Sequence, residues 1–185
     1  MAQSVRVKGS ILSARVAWVR QHGDEAYQRF LRELSPATRG VADRLLLIDW
    51  YPFDMFIELC TVIDRLHGKG DLQLCYDLGR YSAEVNVKNI YRLLFKFGSV
   101  HFLLRRATMA WGMSYDAGRA MVRSEEPRGA VVEVLDFPTP HRAHCLSVRG
   151  WIAKMLELSG AREPVVKERC KLNGDERCEF SARWR

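Results

Sequence analysis

The sequence lacks the features of a membrane-spanning or secreted chain. Its 185 residues contain no apolar run of the roughly 18 residues that a transmembrane helix needs. Residues 1–10 alternate valines with charged residues and include no apolar signal-peptide segment. The five cysteines are an odd number and do not form a dense disulfide framework. These absences predict a cytoplasmic protein with reduced thiols.

The motifs of common catalytic and nucleotide-binding sites are also absent. The sequence contains no GxGxxG, no P-loop, no HExxH and no GxSxG. Carboxylates such as Asp49, Asp54 and Asp64 are as easily helix caps or surface groups as catalysts. We therefore expect a protein that is not an enzyme.

The positive charge of the chain is dispersed. The formal net charge is +7, but basic residues are interleaved with acids and form no long basic run. Nucleic-acid-binding domains usually concentrate their charge on one face. The sequence therefore predicts no specific nucleic-acid binding, and the basic surface suits an acidic protein partner.

Hydrophobic spacing predicts helices in the first two thirds of the chain. Helical periodicity is present over residues 11–18 and again over 27–34. The clearest amphipathic pattern has an apolar stripe made of Phe56, Leu59, Cys60, Ile63 and Leu66. Further helices are predicted over about 72–85, 89–97 and 100–111.

In the last third the apolar residues alternate with a period of two, which is typical of strands. Residues 119–123 and 130–135 predict one hairpin, and a helix over 141–158 follows. A second hairpin is predicted around Asn173-Gly174-Asp175. We therefore predict one α+β domain over residues 1–185, with N-terminal helices packed on an antiparallel sheet formed by two hairpins flanking a helix.

Three cysteines are predicted to meet in this arrangement. With a three-residue loop, Cys170 lies opposite Cys178, with Cβ atoms about 4.5–5.5 Å apart. Cys145 is on the apolar face of the preceding helix. Three converging thiols can begin a tetrahedral metal site, for which Glu168 or a histidine, His144 or His141, is a candidate fourth ligand.

An alternative interpretation is that these cysteines are buried thiols without a metal. Reduced cysteine is among the most frequently buried residues and packs as a small apolar side chain. Cys60 and Cys75, which lie in predicted helices, are interpreted in this way.

The order of several short motifs is informative. They are Cys145, Gly150-Trp151, Gly160, Glu168-Arg169-Cys170, Gly174-Asp175 and Cys178-Glu179-Phe180, preceded by residues 78–83, 91–95 and 98–99. Together they resemble the vinyl-reductase-type (4-vinyl reductase) domain. That superfamily includes the core subunits of the TRAPP vesicle-tethering complex and, more remotely, haem nitric-oxide-binding domains. The resemblance implies helices packed on an antiparallel sheet, a homodimer and an internal pocket for a small hydrophobic molecule.

The resemblance also bears on cofactors. In zinc-containing members three cysteines and an acidic residue hold the metal, so zinc is a candidate cofactor. Glu168 is near the expected position of the acidic residue but is out of register with it, and Lys167 occupies a neighbouring position. In the haem branch a histidine holds the iron, for which His101 or His67 could be proposed. The Tyr-x-Ser-x-Arg signature of that branch is absent from the sequence, so haem is not expected.

The function predicted from these features is non-catalytic binding or sensing of a hydrophobic small molecule, with the signal passed to a protein partner. Phe102, Trp111, Tyr115 and Trp151 are the candidate pocket residues, although any of them could instead pack in the core. The alternative is a TRAPP-like protein–protein adaptor with a filled core and no ligand. An internal cavity would favour the first function.

Overall fold

The computed structural model describes residues 4–89 and 100–185. Within these ranges it has eight helices and six strands. The helices are α1 (Gly9–Arg20), α2 (Asp24–Glu33), α3 (Pro36–Ala42), α4 (Phe53–His67), α5 (Leu74–Asn89), α6 (Val100–Leu104), α7 (Ala107–Gly112) and α8 (Arg142–Leu158). The strands are β1 (Arg6–Lys8), β2 (Trp50–Pro52), β3 (Arg119–Glu126), β4 (Gly129–Leu135), β5 (Val165–Arg169) and β6 (Cys178–Arg183).

The sheet confirms the predicted α+β class. Its four strands are antiparallel in the order β3-β4-β6-β5, so the two hairpins join through β4 and β6. In the second hairpin Arg169 pairs with Glu179, which is the register predicted for the two strands. The connection is longer than three residues and includes a 3-10 turn, Lys171–Asn173. β1 and β2 form a separate two-stranded sheet.

The helices follow the apolar pattern with one difference. The predicted stripe of α4 is confirmed, since Phe56, Leu59, Cys60 and Ile63 are all buried. The helix predicted over 100–111 is instead two short helices, α6 and α7, interrupted at residues 105–106. The helix predicted over 89–97 lies, beyond Asn89, outside the described residues. No helix in the described part of the chain is long and apolar enough to cross a membrane.

The long helix α8 connects the helices with the sheet. It packs along α5 on one side and against β5 on the other. His141 caps its first turn, because the imidazole Nδ1 accepts a hydrogen bond from the Ala143 amide at 3.2 Å. A single core therefore runs from the N-terminal helices to the inner face of the sheet.

Candidate ligand-binding site

An interior cavity lies between the helices and the sheet. Its volume is about 90 Å³, and it is partly open to solvent. The wall comes from α1, α5, α6, α7, α8 and three strands of the sheet. Most of it is aliphatic or aromatic, and Phe180 of β6 forms its floor on the sheet side.

A few polar groups interrupt this apolar wall. Arg15 of α1 is 1% exposed, and its Nη2 donates to the Ser147 hydroxyl of α8 at 2.5 Å. On α5 the Asn86 amide donates to the Ser82 hydroxyl at 3.3 Å. All four residues are buried and line the cavity. Apolar walls with a few fixed polar groups are typical of ligand sites, in which the polar groups orient the ligand.

Arg15 lies between the cavity and the core of α4. Its guanidinium is 5.1 Å from the centroid of the Phe56 ring. The positive charge also acts on the buried thiol of Cys60. Burial acts to raise the pKa of Cys60, but the hydrogen bond from Cys75 and the charge of Arg15 outweigh it and lower the pKa to about 7.

Three of the four candidate pocket residues line the cavity. They are Trp111, Tyr115 and Trp151. The Trp111 indole N–H is satisfied by the Ala117 carbonyl at 2.9 Å, so the ring is held in place. Phe102 is not in the wall; it lies under the guanidinium of Arg106, 4.2 Å from its ring centroid. That these aromatic residues contact a ligand stays a prediction.

The sequence argument missed Arg15. The signal was present, because α1 is buried at Ile11, Leu12, Val16 and Val19, and position 15 belongs to the same helical face. A charged residue on a buried helix face is rare and requires a partner.

The three predicted cysteines come together at one end of the sheet. The Sγ atoms of Cys145 and Cys170 are 3.2 Å apart, and those of Cys170 and Cys178 are 3.7 Å apart. Burial raises the pKa of Cys145 and of Cys178. The three ligand atoms all lie within 4.8 Å of one another, so the metal site remains a prediction with suitable geometry.

The predicted fourth ligands are not part of this thiol cluster. Only the three cysteines form a metal-sized group in the described part of the chain. Glu168 is buried on the same strand face and forms an ion pair with Arg142. His144 lies among aromatic rings, stacked on Phe137 at 4.7 Å between centroids. Burial, with the nearby charge of Arg15, lowers the pKa of His144 to about 3, so this imidazole is neutral.

Comparison with known proteins gives a match in structure but not in sequence. No family model and no curated protein matches the chain. An Fe(II) unliganded H-NOX protein from K. algicida has a TM-score of 0.74 at 12% identity, over 96% of each chain. An H-NOX protein from S. oneidensis in the Fe(II)NO ligation state also has a TM-score of 0.74 at 12% identity, over 96% of this chain and 99% of that one.

The chain has the H-NOX fold. These neighbours are of the haem nitric-oxide-binding kind that the sequence resemblance named as related, while the vinyl-reductase-type and TRAPP assignments stay predictions. At 12% identity the likeness shows the fold alone.

The H-NOX fold corrects the cofactor prediction. Zinc was predicted as a possible cofactor and haem was not expected, whereas the solved neighbours are iron proteins. A further neighbour concerns modulating heme redox potential through protein-induced porphyrin distortion; its TM-score is 0.70 at 14% identity, over 96% of this chain and 99% of that one. The prediction was wrong because it relied on one short signature. The fold is kept between sequences of such low identity, so it does not depend on the Tyr-x-Ser-x-Arg signature.

Proposed function

We propose that the chain is a non-catalytic small-molecule-binding domain that senses a hydrophobic ligand and passes the signal to a protein partner. The cavity is the observation that supports this proposal. Its space of about 90 Å³ suits a small apolar group, and its wall is mostly apolar with a few buried polar groups. The H-NOX fold of the chain, whose solved examples include an Fe(II)NO state, agrees with a sensing role.

The cavity also separates this function from the adaptor alternative. A protein that only docks partners gains nothing from an internal space, because unfilled volume destabilises the core. The wall includes side chains from α1, α5, α8 and the sheet, so ligand binding there would change contacts between these elements. Such a change is what a sensor transmits to its partner.

Haem is the first candidate ligand, and the residues that line the cavity can be tested against what haem binding requires. The wall has the apolar character that a porphyrin ring needs, but its space of about 90 Å³ would have to widen to admit the ring; Arg15 would bind one of the carboxylates. Tyr115 and Met155 line the cavity and carry the oxygen and sulfur atoms that haem iron accepts. His101 forms an ion pair with Glu125 of β3 and does not line the cavity. A bound haem would supply an iron that takes a small gas such as NO.

Titration with haemin tests the proposal. The expected result is a saturable shift of the haemin absorption band at one haemin per chain. The variant Ala110→Phe places a bulky ring in the cavity wall and should weaken binding at least about 10-fold by occlusion. Ala37→Phe, on an exposed position of α3, is the matched control and should bind as the parent does.

Native mass spectrometry of the purified chain extends this test to other ligands. A co-purified mass of a few hundred daltons that is lost in Ala110→Phe supports cavity binding. Equal binding by Ala110→Phe and the parent chain would place the ligand elsewhere. The absence of both haemin binding and a co-purified ligand would favour the adaptor.

A further inference from the structure

The cavity contains one buried charge and no opposite charge. Arg15 is the charged residue of the wall, and no aspartate or glutamate lines the cavity in residues 4–89 and 100–185. Its Nη2 donates to Ser147, whereas Nε and Nη1 have no hydrogen-bond partner in those ranges. A guanidinium that is 1% exposed cannot recover the missing hydrogen bonds from bulk water.

A buried guanidinium that lacks hydrogen-bond partners destabilises the fold unless a ligand supplies them. A buried cation needs both a counter-charge and acceptors for its N–H groups. An aliphatic residue at position 15 would pack in the core and need neither a counter-charge nor acceptors, as Ile11 and Val19 do on the same face of α1. The charge is therefore better explained by a function of the cavity than by packing.

Two buried acidic groups of α4, Asp64 and Cys60, lie outside the cavity wall, and two nitrogens of Arg15 remain without an acceptor. Asp64 is fully buried, and its carboxylate oxygens accept the amides of Leu72 and Leu74 at 2.9 and 3.2 Å. Burial raises the pKa of Cys60, but the hydrogen bond from Cys75 and the charge and hydrogen bond of Arg15 outweigh it, so this thiol is one partner of the guanidinium. Neither residue lines the cavity.

We propose that the cavity binds an apolar molecule carrying a carboxylate, and that Arg15 binds this carboxylate. This inference rests on the proposed function of the cavity. The guanidinium fork matches a carboxylate in geometry, and its free N–H groups would become charge-assisted hydrogen bonds. The hydroxyl of Ser147, which already holds Nη2, fixes the orientation of the fork. The apolar part of the ligand would contact Trp111 and Trp151.

A pair of probes that differ only in charge tests this inference. Decanoate and 1-decanol have the same chain, and their binding can be measured by calorimetry and by the change in total tryptophan fluorescence, to which Trp111 and Trp151 of the cavity wall contribute. The parent chain should bind decanoate at least about 10-fold more tightly than decanol, which corresponds to about 1.4 kcal/mol. Arg15→Met should remove this preference and still bind decanol. Arg106→Met, an arginine outside the cavity wall, is the control and should keep the preference.

A measurement on the parent chain alone tests the inference even if Arg15→Met does not fold. Decanoate affinity should fall as the carboxylate is protonated below about pH 5, while decanol affinity should stay constant over that range. Equal affinity of the parent chain for the two probes would overturn the role of Arg15 and leave the proposed function standing. Binding of neither probe by a chain that binds haemin would overturn this inference and leave the proposed function standing, whereas binding of neither probe nor haemin would contradict both.

Discussion

Gly79 and Gly150 lie at the crossing of α5 and α8, each against the backbone of the other helix. A Cβ at Gly79 would overlap the carbonyl oxygen of Ser147, and a Cβ at Gly150 would overlap that of Tyr76. Both overlaps involve helix backbone, so a side-chain rotation cannot relieve them. Because α5 and α8 both line the cavity, the two glycines set the distance between two of its walls.

Substitution of either glycine tests this close approach. Gly79→Ala and Gly150→Ala should each lower the free energy of unfolding by about 2–3 kcal/mol, because the helices must separate to admit the methyl group. Urea denaturation measures the change. Gly40→Ala is the matched control: it lies in α3 with open space around it and should be neutral or stabilising by up to about 1 kcal/mol. Similar changes in unfolding free energy for all three variants would show that the crossing of α5 and α8 does not require glycine.

The ion pair of Arg80 and Glu157 also joins α5 to α8. It is bidentate, with both N–O distances at 2.9 Å, and both side chains are about one-third exposed. A double-mutant cycle with alanine at both positions should give a coupling energy of about 0.5–1 kcal/mol, which decreases in high salt. A coupling energy near zero would mean that this ion pair does not stabilise the crossing.

The hairpin that carries Cys170 and Cys178 was predictable because it depends on local pattern. Alternation determined which residues point inward, and Arg169 lies opposite Glu179 as expected, although the connection is longer than the three residues that the turn signal predicted. The stripe of α4 was predictable for the same reason, since the helical period determines which side chains are buried.

The cavity was not predictable from these patterns. Its wall combines α1, α5, α8 and the sheet, which are far apart in the chain, and periodicity does not show whether a core is filled or hollow. Phe102 illustrates the limit: its apolar ring suggested a pocket residue, but the short helix α6 turns it under Arg106. Haem was not expected because one short signature is absent. A fold, in contrast, depends on apolar positions distributed over the whole chain, so the absence of that signature does not exclude it.

Glu58 of α4 should make stability depend on pH. Burial acts to raise the pKa of its carboxyl, but hydrogen bonds from Thr38 and Ser35 outweigh this effect and lower the pKa below its usual value. The stabilisation is therefore present above the pKa of the unfolded chain and is lost as the pH falls through the lower pKa of the folded state. Glu58→Gln should lose about 1–2 kcal/mol at pH 7 and show a flatter decline of unfolding free energy from pH 6 to pH 3. An unchanged pH profile would exclude this role.

The thiol cluster of Cys145, Cys170 and Cys178 predicts binding of one thiophilic metal ion. Thiolates that share an ion at a metal–sulfur distance of about 2.3–2.5 Å lie about 4 Å apart, and the observed separations of 3.2 and 3.7 Å are close to this value. Titration with Cd²⁺ should therefore give a thiolate-to-cadmium charge-transfer band that saturates at one ion per chain. Cys178→Ser, on the half-buried member, should weaken binding at least about 10-fold because one of three thiolates is lost. Cys75→Ala is the control, since Cys75 lies beside Cys60 and outside this cluster. Equal Cd²⁺ binding by the parent chain and Cys178→Ser would mean that the three cysteines are buried thiols.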